Sequence, residues 1–97
     1  MTVDISGGEL CDMVVIVNRR GLHARAAAKF VREIEAFETE IVVAKGDMRV
    51  SGRSIMGLML LAATCGTQLK LCASGVDAAA AIQALAELIK RKFDEDE

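Results

Sequence analysis

The unbroken apolar run Met13 to Val17 gives way, shortly after Gly21, to apolar residues spaced for a helix. That switch of period restricts the chain to folds in which a sheet and helices share one core. The first run, "MVVIV", is mostly β-branched and is bounded by Asp12 and by Asn18-Arg19-Arg20-Gly21, which predicts a central strand buried on both faces or nearly so. From Ala24 onward, Ala27, Phe30, Val31, Ile34 and Phe37 fall on one side of a helix, while Arg25, Lys29, Arg32, Glu33 and Glu35 take other directions. This pattern predicts an amphipathic helix of about fourteen residues that starts at or just after His23.

The same reading extends to the C-terminus. Glu40 to Lys45 and Met48 to Ser51 are β-type segments separated by Gly46-Asp47, a turn-forming pair that predicts an antiparallel hairpin. Ser54 is placed to cap a second helix through "SIMGLMLLAA", with Gly66 as its stop. Gln68 to Ala73 alternates Leu69, Leu71 and Ala73 against Lys70 and Cys72, a half-exposed strand. After Ser74-Gly75, Asp77 is expected to cap a third helix that runs to about Lys92, with Ala78, Ile82, Leu85, Ala86, Ile89 and Phe93 as its apolar stripe. The order β-α-β-β-α-β-α predicts an α+β open-faced β-sandwich, a four-stranded antiparallel sheet with three helices on one face.

The 97 residues, 53% apolar and 27% charged, suffice for a single domain over 1–97, with 1–10 as a flexible N-terminal extension and 94–97 as a frayed acidic tail. A net charge of −2 and only three aromatic residues, all Phe, argue against nucleic-acid binding. No apolar run is long enough to cross a bilayer and no signal-peptide pattern opens the chain, so a cytoplasmic protein without membrane insertion is expected. Cys11, Cys65 and Cys72 are odd in number, lack C-x-x-C spacing and lie in apolar runs. Neither a disulfide framework, nor a metal site, nor any cofactor is expected from them.

The chemistry concentrates at "RGLHAR", Arg20 to Arg25, which contains the only histidine. His23 follows a glycine-containing loop at a strand end and precedes a helix whose first N–H groups have no intrahelical partners, a place that favours an anion. Arg25 offers a planar, permanently charged donor for phosphate oxygens, and imidazole near neutrality keeps a nucleophilic fraction. A lone His with an Arg two positions on is also an ordinary surface arrangement. With no second His and no adjacent carboxylate in sequence, an independent enzyme is not expected. The local chemistry suits a phosphoryl acceptor that depends on docking partners.

Two separated blocks, "NRRGLHARAAAKFV" and "SGRSIMGLMLLA", closely resemble HPr, the histidine-containing phosphocarrier family of the phosphoenolpyruvate-dependent phosphotransferase system. The resemblance extends over essentially the whole chain after about Cys11. It implies that His23 receives a phosphoryl group on Nδ1 from phosphorylated Enzyme I and passes it to IIA-type acceptors, with Arg25 as charge partner and Asn18, Ala24 and Ala26 supporting the phosphate site. It implies further that Ser54 is a regulatory phosphorylation site, a substrate for an HPr kinase/phosphorylase where one is present. Ile55, Met56 and Met59, with Arg53 beside them, would form the partner-binding patch, while Leu58 and Leu61 would face the core. Such a shuttle is expected to be a monomer. A second reading is a regulatory module of a nitrogen-type phosphotransferase system that controls kinases or transcription regulators and not sugar uptake. One position departs from the family pattern: Ala26 stands where H-A-R-P-A would place proline. Its N–H is thereby restored to the first helical turn.

Overall fold

A computed structural model describes residues 9–95. Its elements follow the expected order: β1 (Leu10–Val15), α1 (Ala24–Ile34), β2 (Glu40–Lys45), β3 (Met48–Ser51), α2 (Ile55–Leu60), β4 (Gln68–Ser74) and α3 (Ala78–Lys90), with a short C-terminal turn over Lys92–Asp94. All strand pairs are antiparallel, and the sheet order is β1-β4-β2-β3. Register sets the faces. Leu69, Leu71 and Ala73 of β4 stand opposite or beside Val14, Ile41 and Val43, and all of these are buried. The intervening positions, such as Met13 paired with Lys70 and Val15 paired with Gln68, lie on the other, open face. α3 packs on β1 and β4, and α1 packs against α2 and α3, so one core lies between sheet and helices.

β1 is an edge strand and not the central one expected. Only Val14 and Ile16 of its apolar run are buried, whereas Met13, Val15 and Val17 keep 50%, 45% and 39% of their exposure. A β-branched run fits any pleated strand, so its composition does not decide between edge and centre. The strand begins at Leu10, which takes that residue out of the expected extension; residues 1–8 lie outside the described part of the chain. Beyond Val15 the strand still leans on its neighbour: Ile16 N–H donates to Thr67 O (2.9 Å), and Gly66 N–H donates to Ile16 O (2.7 Å).

Helix ends also differ from expectation. α1 stops at Ile34, and Phe37 packs half-buried from the turn that follows. Ser54 does cap α2, its Oγ accepting from Gly57 N–H at 2.9 Å. The helix ends well before Gly66, however, because Ala62 takes the left-handed conformation (φ 52°) and Lys45 Nζ covers the terminal carbonyl of Leu61 at 2.9 Å. Asp77 occupies the N-cap position of α3 without capping it; its carboxylate instead accepts from Glu38 N–H at 2.7 Å and ties the α1–β2 connection to the start of α3.

The cysteine expectation is overturned. Cys11 and Cys72 face each other across β1 and β4 with Cα atoms 4.0 Å apart and are joined by a disulfide, while Cys65 is free and exposed. Antiparallel residues at a non-hydrogen-bonded position come this close; a pairing across 61 residues leaves no trace in cysteine spacing. The bridge fastens the edge strand to the centre of the sheet. Thiol labelling without reductant should modify Cys65 alone, and Cys11→Ser should lower the unfolding free energy by about 2–4 kcal/mol in denaturant titrations.

Candidate functional site

The β1–α1 loop is fixed before it reaches the histidine. Asn18, fully buried, accepts from Gly21 N–H through its backbone carbonyl (3.1 Å) and donates from Nδ2 to Gly21 O (2.8 Å). Gly21 has φ +71°, and a Cβ built there would lie 2.5 Å from Ala63 O. The next residue, Leu22, is buried and donates its N–H to the same carbonyl at 2.9 Å. The chain can pass this close to the α2–β4 connection only as glycine.

This clamp delivers His23 to the N-cap of α1 with extended backbone angles (φ −78°, ψ −179°). Its carbonyl accepts the first intrahelical bond, from Ala27 N–H at 2.8 Å, so the N–H groups of Ala24, Arg25 and Ala26 precede that bond. Its side chain makes no capping bond, which leaves the imidazole for other work. Ala24 and Arg25 are exposed, and Ala26 is fully buried. Arg25 takes part in neither ion pair among the described residues, so its guanidinium is uncommitted.

The imidazole has a partner that sequence reasoning missed. Glu95, expected in a frayed tail, touches His23 Nε2 through Oε2 and accepts from Asn18 Nδ2 through Oε1 at 3.0 Å. Both side chains are largely covered, His23 keeping 18% and Glu95 8% of their exposure. The tail reaches this point by a turn of left-handed residues, Lys92, Phe93 and Asp94, with φ of 59°, 55° and 62°. Phe93 is fully buried, Lys29 Nζ donates to its carbonyl at 2.7 Å, and Arg91 Nε donates to Asp94 Oδ1 at 3.0 Å. The expected fraying therefore fails at Asp94 and Glu95; the final two residues lie outside the described part of the chain. Burial works against the Glu95 charge, but hydrogen bonds from His23 and Asn18, aided by the charges of His23 and Arg20, hold its carboxyl below the usual range. The spacing between His23 and Glu95, 72 residues, gave no local signal, and an acidic terminus reads as solvated.

α2 presents the apolar patch. Ile55, Met56 and Met59 keep 40%, 75% and 44% of their exposure, while Leu58 and Leu61, expected to face the core, are fully buried. Leu60, not singled out from sequence, is 68% exposed and extends the patch from Met56 by one helical turn. Arg53 is exposed, yet its Nη2 donates to the carbonyls of Phe37 (3.3 Å) and Thr39 (2.8 Å), where it braces the α1–β2 loop.

A histidine at a helix N-cap whose imidazole does not cap, ahead of the first helical N–H groups and beside an Arg25 guanidinium unpaired among the described residues, forms a site suited to an anion. Comparison with known proteins gives the chain its family. The family described as "PTS HPr component phosphorylation site" matches residues 11–91. The phosphocarrier protein HPr of Neisseria meningitidis is 49% identical over 84 residues, covering 87% of this chain and 94% of the relative. The phosphocarrier protein NPr of Shewanella violacea is 40% identical over 82 residues, covering 84% and 90%. A crystal structure of HPr from Thermoanaerobacter tengcongensis superposes with a TM-score of 0.86 at 42% identity, covering 91% of this chain and 99% of that one. The chain belongs to the HPr family of phosphotransferase-system phosphocarriers, proteins that carry phosphoryl groups and have no independent turnover. Among the described residues, no helix is long and apolar enough to cross a membrane.

Because both its φ and its close approach exclude a side chain, Gly21→Ala should destabilise the fold by about 1–3 kcal/mol in urea unfolding. The His23 ring signals should broaden in NMR spectra at temperatures where the remaining core signals stay sharp.

Proposed function

We propose that His23 is the phosphoryl acceptor of this carrier, taking the group on Nδ1 from phosphorylated Enzyme I and handing it to a IIA-type acceptor in the cytoplasm. The observation that carries this reading is the placement of His23 at the α1 N-cap, ahead of the three N–H groups that have no earlier carbonyl to bond. These donors and the positive end of the helix favour the dianionic phosphoryl group. The uncommitted Arg25 supplies a charge-assisted donor. Ala26 in place of proline restores an N–H to this turn, but Ala26 is fully buried, so the exposed Ala24 and Arg25 are the accessible positions. Transfer forms an N–P bond at His23 as the donor N–P bond breaks, its electron pair returning to the donor nitrogen. Incubation with Enzyme I and labelled phosphoenolpyruvate should put acid-labile label on the wild type and none on His23→Ala; retention of label in that variant would remove the assignment.

The α2 surface of Ile55, Met56 and Met59, enlarged by Leu60, supports the docking role. Apolar side chains exposed together seek a partner, and methionine adapts to several in turn. Ser54 stands at the edge of this patch as the α2 cap. Phosphorylation there by an HPr kinase/phosphorylase would add about −1.5 to −2 charges at a helix start, which the helix tolerates but a partner with an acidic or apolar face does not. Ser54→Asp should keep the fold, as judged by circular dichroism, and accept phosphoryl groups from Enzyme I more slowly than wild type. Equal rates would rule out an inhibitory role. The similarity to an NPr supports the second reading, a nitrogen-type regulatory branch. Label that reaches only a nitrogen-type IIA would select it over sugar uptake.

A further inference from the structure

We infer that Glu95 is a positioning residue for phosphoryl transfer: its carboxylate holds the His23 imidazole with the proton on Nε2, so that the Nδ1 lone pair is the one presented to the donor. This rests on the reading of His23 as acceptor and adds the group that sets its tautomer. Glu95 lies beyond residue 91, where the family match ends.

The assignment follows from donor and acceptor accounting. Asn18 Nδ2 faces two oxygens, Gly21 O and Glu95 Oε1, and only an amide nitrogen can serve both. Glu95 Oε1 is therefore an acceptor. The other oxygen, Oε2, meets His23 Nε2. An ionised carboxylate has no hydrogen to give, so the ring nitrogen that meets it must carry one. In a neutral imidazole this leaves Nδ1 unprotonated. When Nδ1 attacks phosphorus, the ring keeps its Nε2 proton and gains positive charge, which an adjacent carboxylate stabilises; no proton has to leave. This is the logic by which a buried carboxylate orients a catalytic imidazole elsewhere.

The support behind Glu95 is structural. Phe93 sits fully buried two residues before it, and Lys29 Nζ holds the Phe93 carbonyl. The left-handed turn at Lys92, Phe93 and Asp94 reverses the chain after α3 so that Glu95 arrives at the ring. Residues that carry a side chain rarely adopt such backbone angles in succession, and each is unfavourable. Buried contacts offset that cost, and the tail is thereby given one defined path.

The test compares Glu95→Ala and Glu95→Gln with wild type, in the intact chain. On unphosphorylated, 15N-labelled protein at about pH 8, where imidazole is neutral, ring nitrogen shifts report the tautomer. Wild type should be the Nε2–H form, Glu95→Ala a mixture, and Glu95→Gln, which keeps an accepting oxygen, closer to wild type. The maximal rate of transfer from phosphorylated Enzyme I should fall about tenfold or more in Glu95→Ala, with KM for the carrier nearly unchanged, and recover in part in Glu95→Gln. A wild-type ring in the Nδ1–H form would overturn the inference. So would a Glu95→Ala protein with wild-type shifts, or one with an equal or faster rate. Failure of wild type to take label at all would instead overturn the carrier reading, and the tautomer comparison, made without phosphate, separates the two failures.

Discussion

The contact between the β1–α1 loop and Ala63 is the constraint on which the site depends. Gly21 lies against the Ala63 carbonyl and Leu22 donates to it, so the loop that carries His23 is locked to the connection between α2 and β4. The bonds from Ile16 to Thr67 and from Gly66 to Ile16 continue the same seam toward the sheet. The backbone of His23 is thus fixed from behind before its side chain meets Glu95. The N–H groups at the start of α1, the proposed hydrogen-bond donors to the phosphoryl oxygens, are carried by a helix packed against α2 and α3.

Around that fixed point, charge is arranged on two sides. In the proposed function the helix start and Arg25 supply positive potential where the phosphoryl group would sit, and Glu95 supplies negative potential at the opposite ring nitrogen. An acceptor histidine benefits from both, because it must welcome an anion and bear positive charge in the same event. Asn18 connects the two sides: it braces the Gly21 turn and holds the second oxygen of Glu95. Its own Oδ1 is buried without a hydrogen-bond partner among the described residues, a local cost accepted within an otherwise satisfied network.

Much of this was legible in the sequence because it is local. The period change at Ala24 located α1, Gly46-Asp47 located the hairpin, and the need for α2 to cover the core placed Leu58 and Leu61 on its buried side. His23 and its helix start could be read together for the same reason. What escaped was long-range. The edge position of β1, the Cys11–Cys72 bridge and the arrival of Glu95 at the imidazole each depend on which distant segments meet, and none alters the pattern of neighbouring residues. The end of α2 was misjudged because Ala62 enters the left-handed region, and Asp77, correctly placed at the N-cap of α3, bonds across to Glu38 and does not cap.

The strand order has a kinetic meaning. β2 and β3 meet across a tight turn, but β1 finds its only neighbour in β4, and Glu95 finds His23 from the other end of the described chain. Contacts between segments far apart in sequence carry the larger loop-closure cost and form slowly. The hairpin and helices can therefore assemble while the histidine still lacks its surroundings. A nascent or partly unfolded chain would hold His23 but not its setting, so under the proposed function competence to accept a phosphoryl group comes only with completion of the fold.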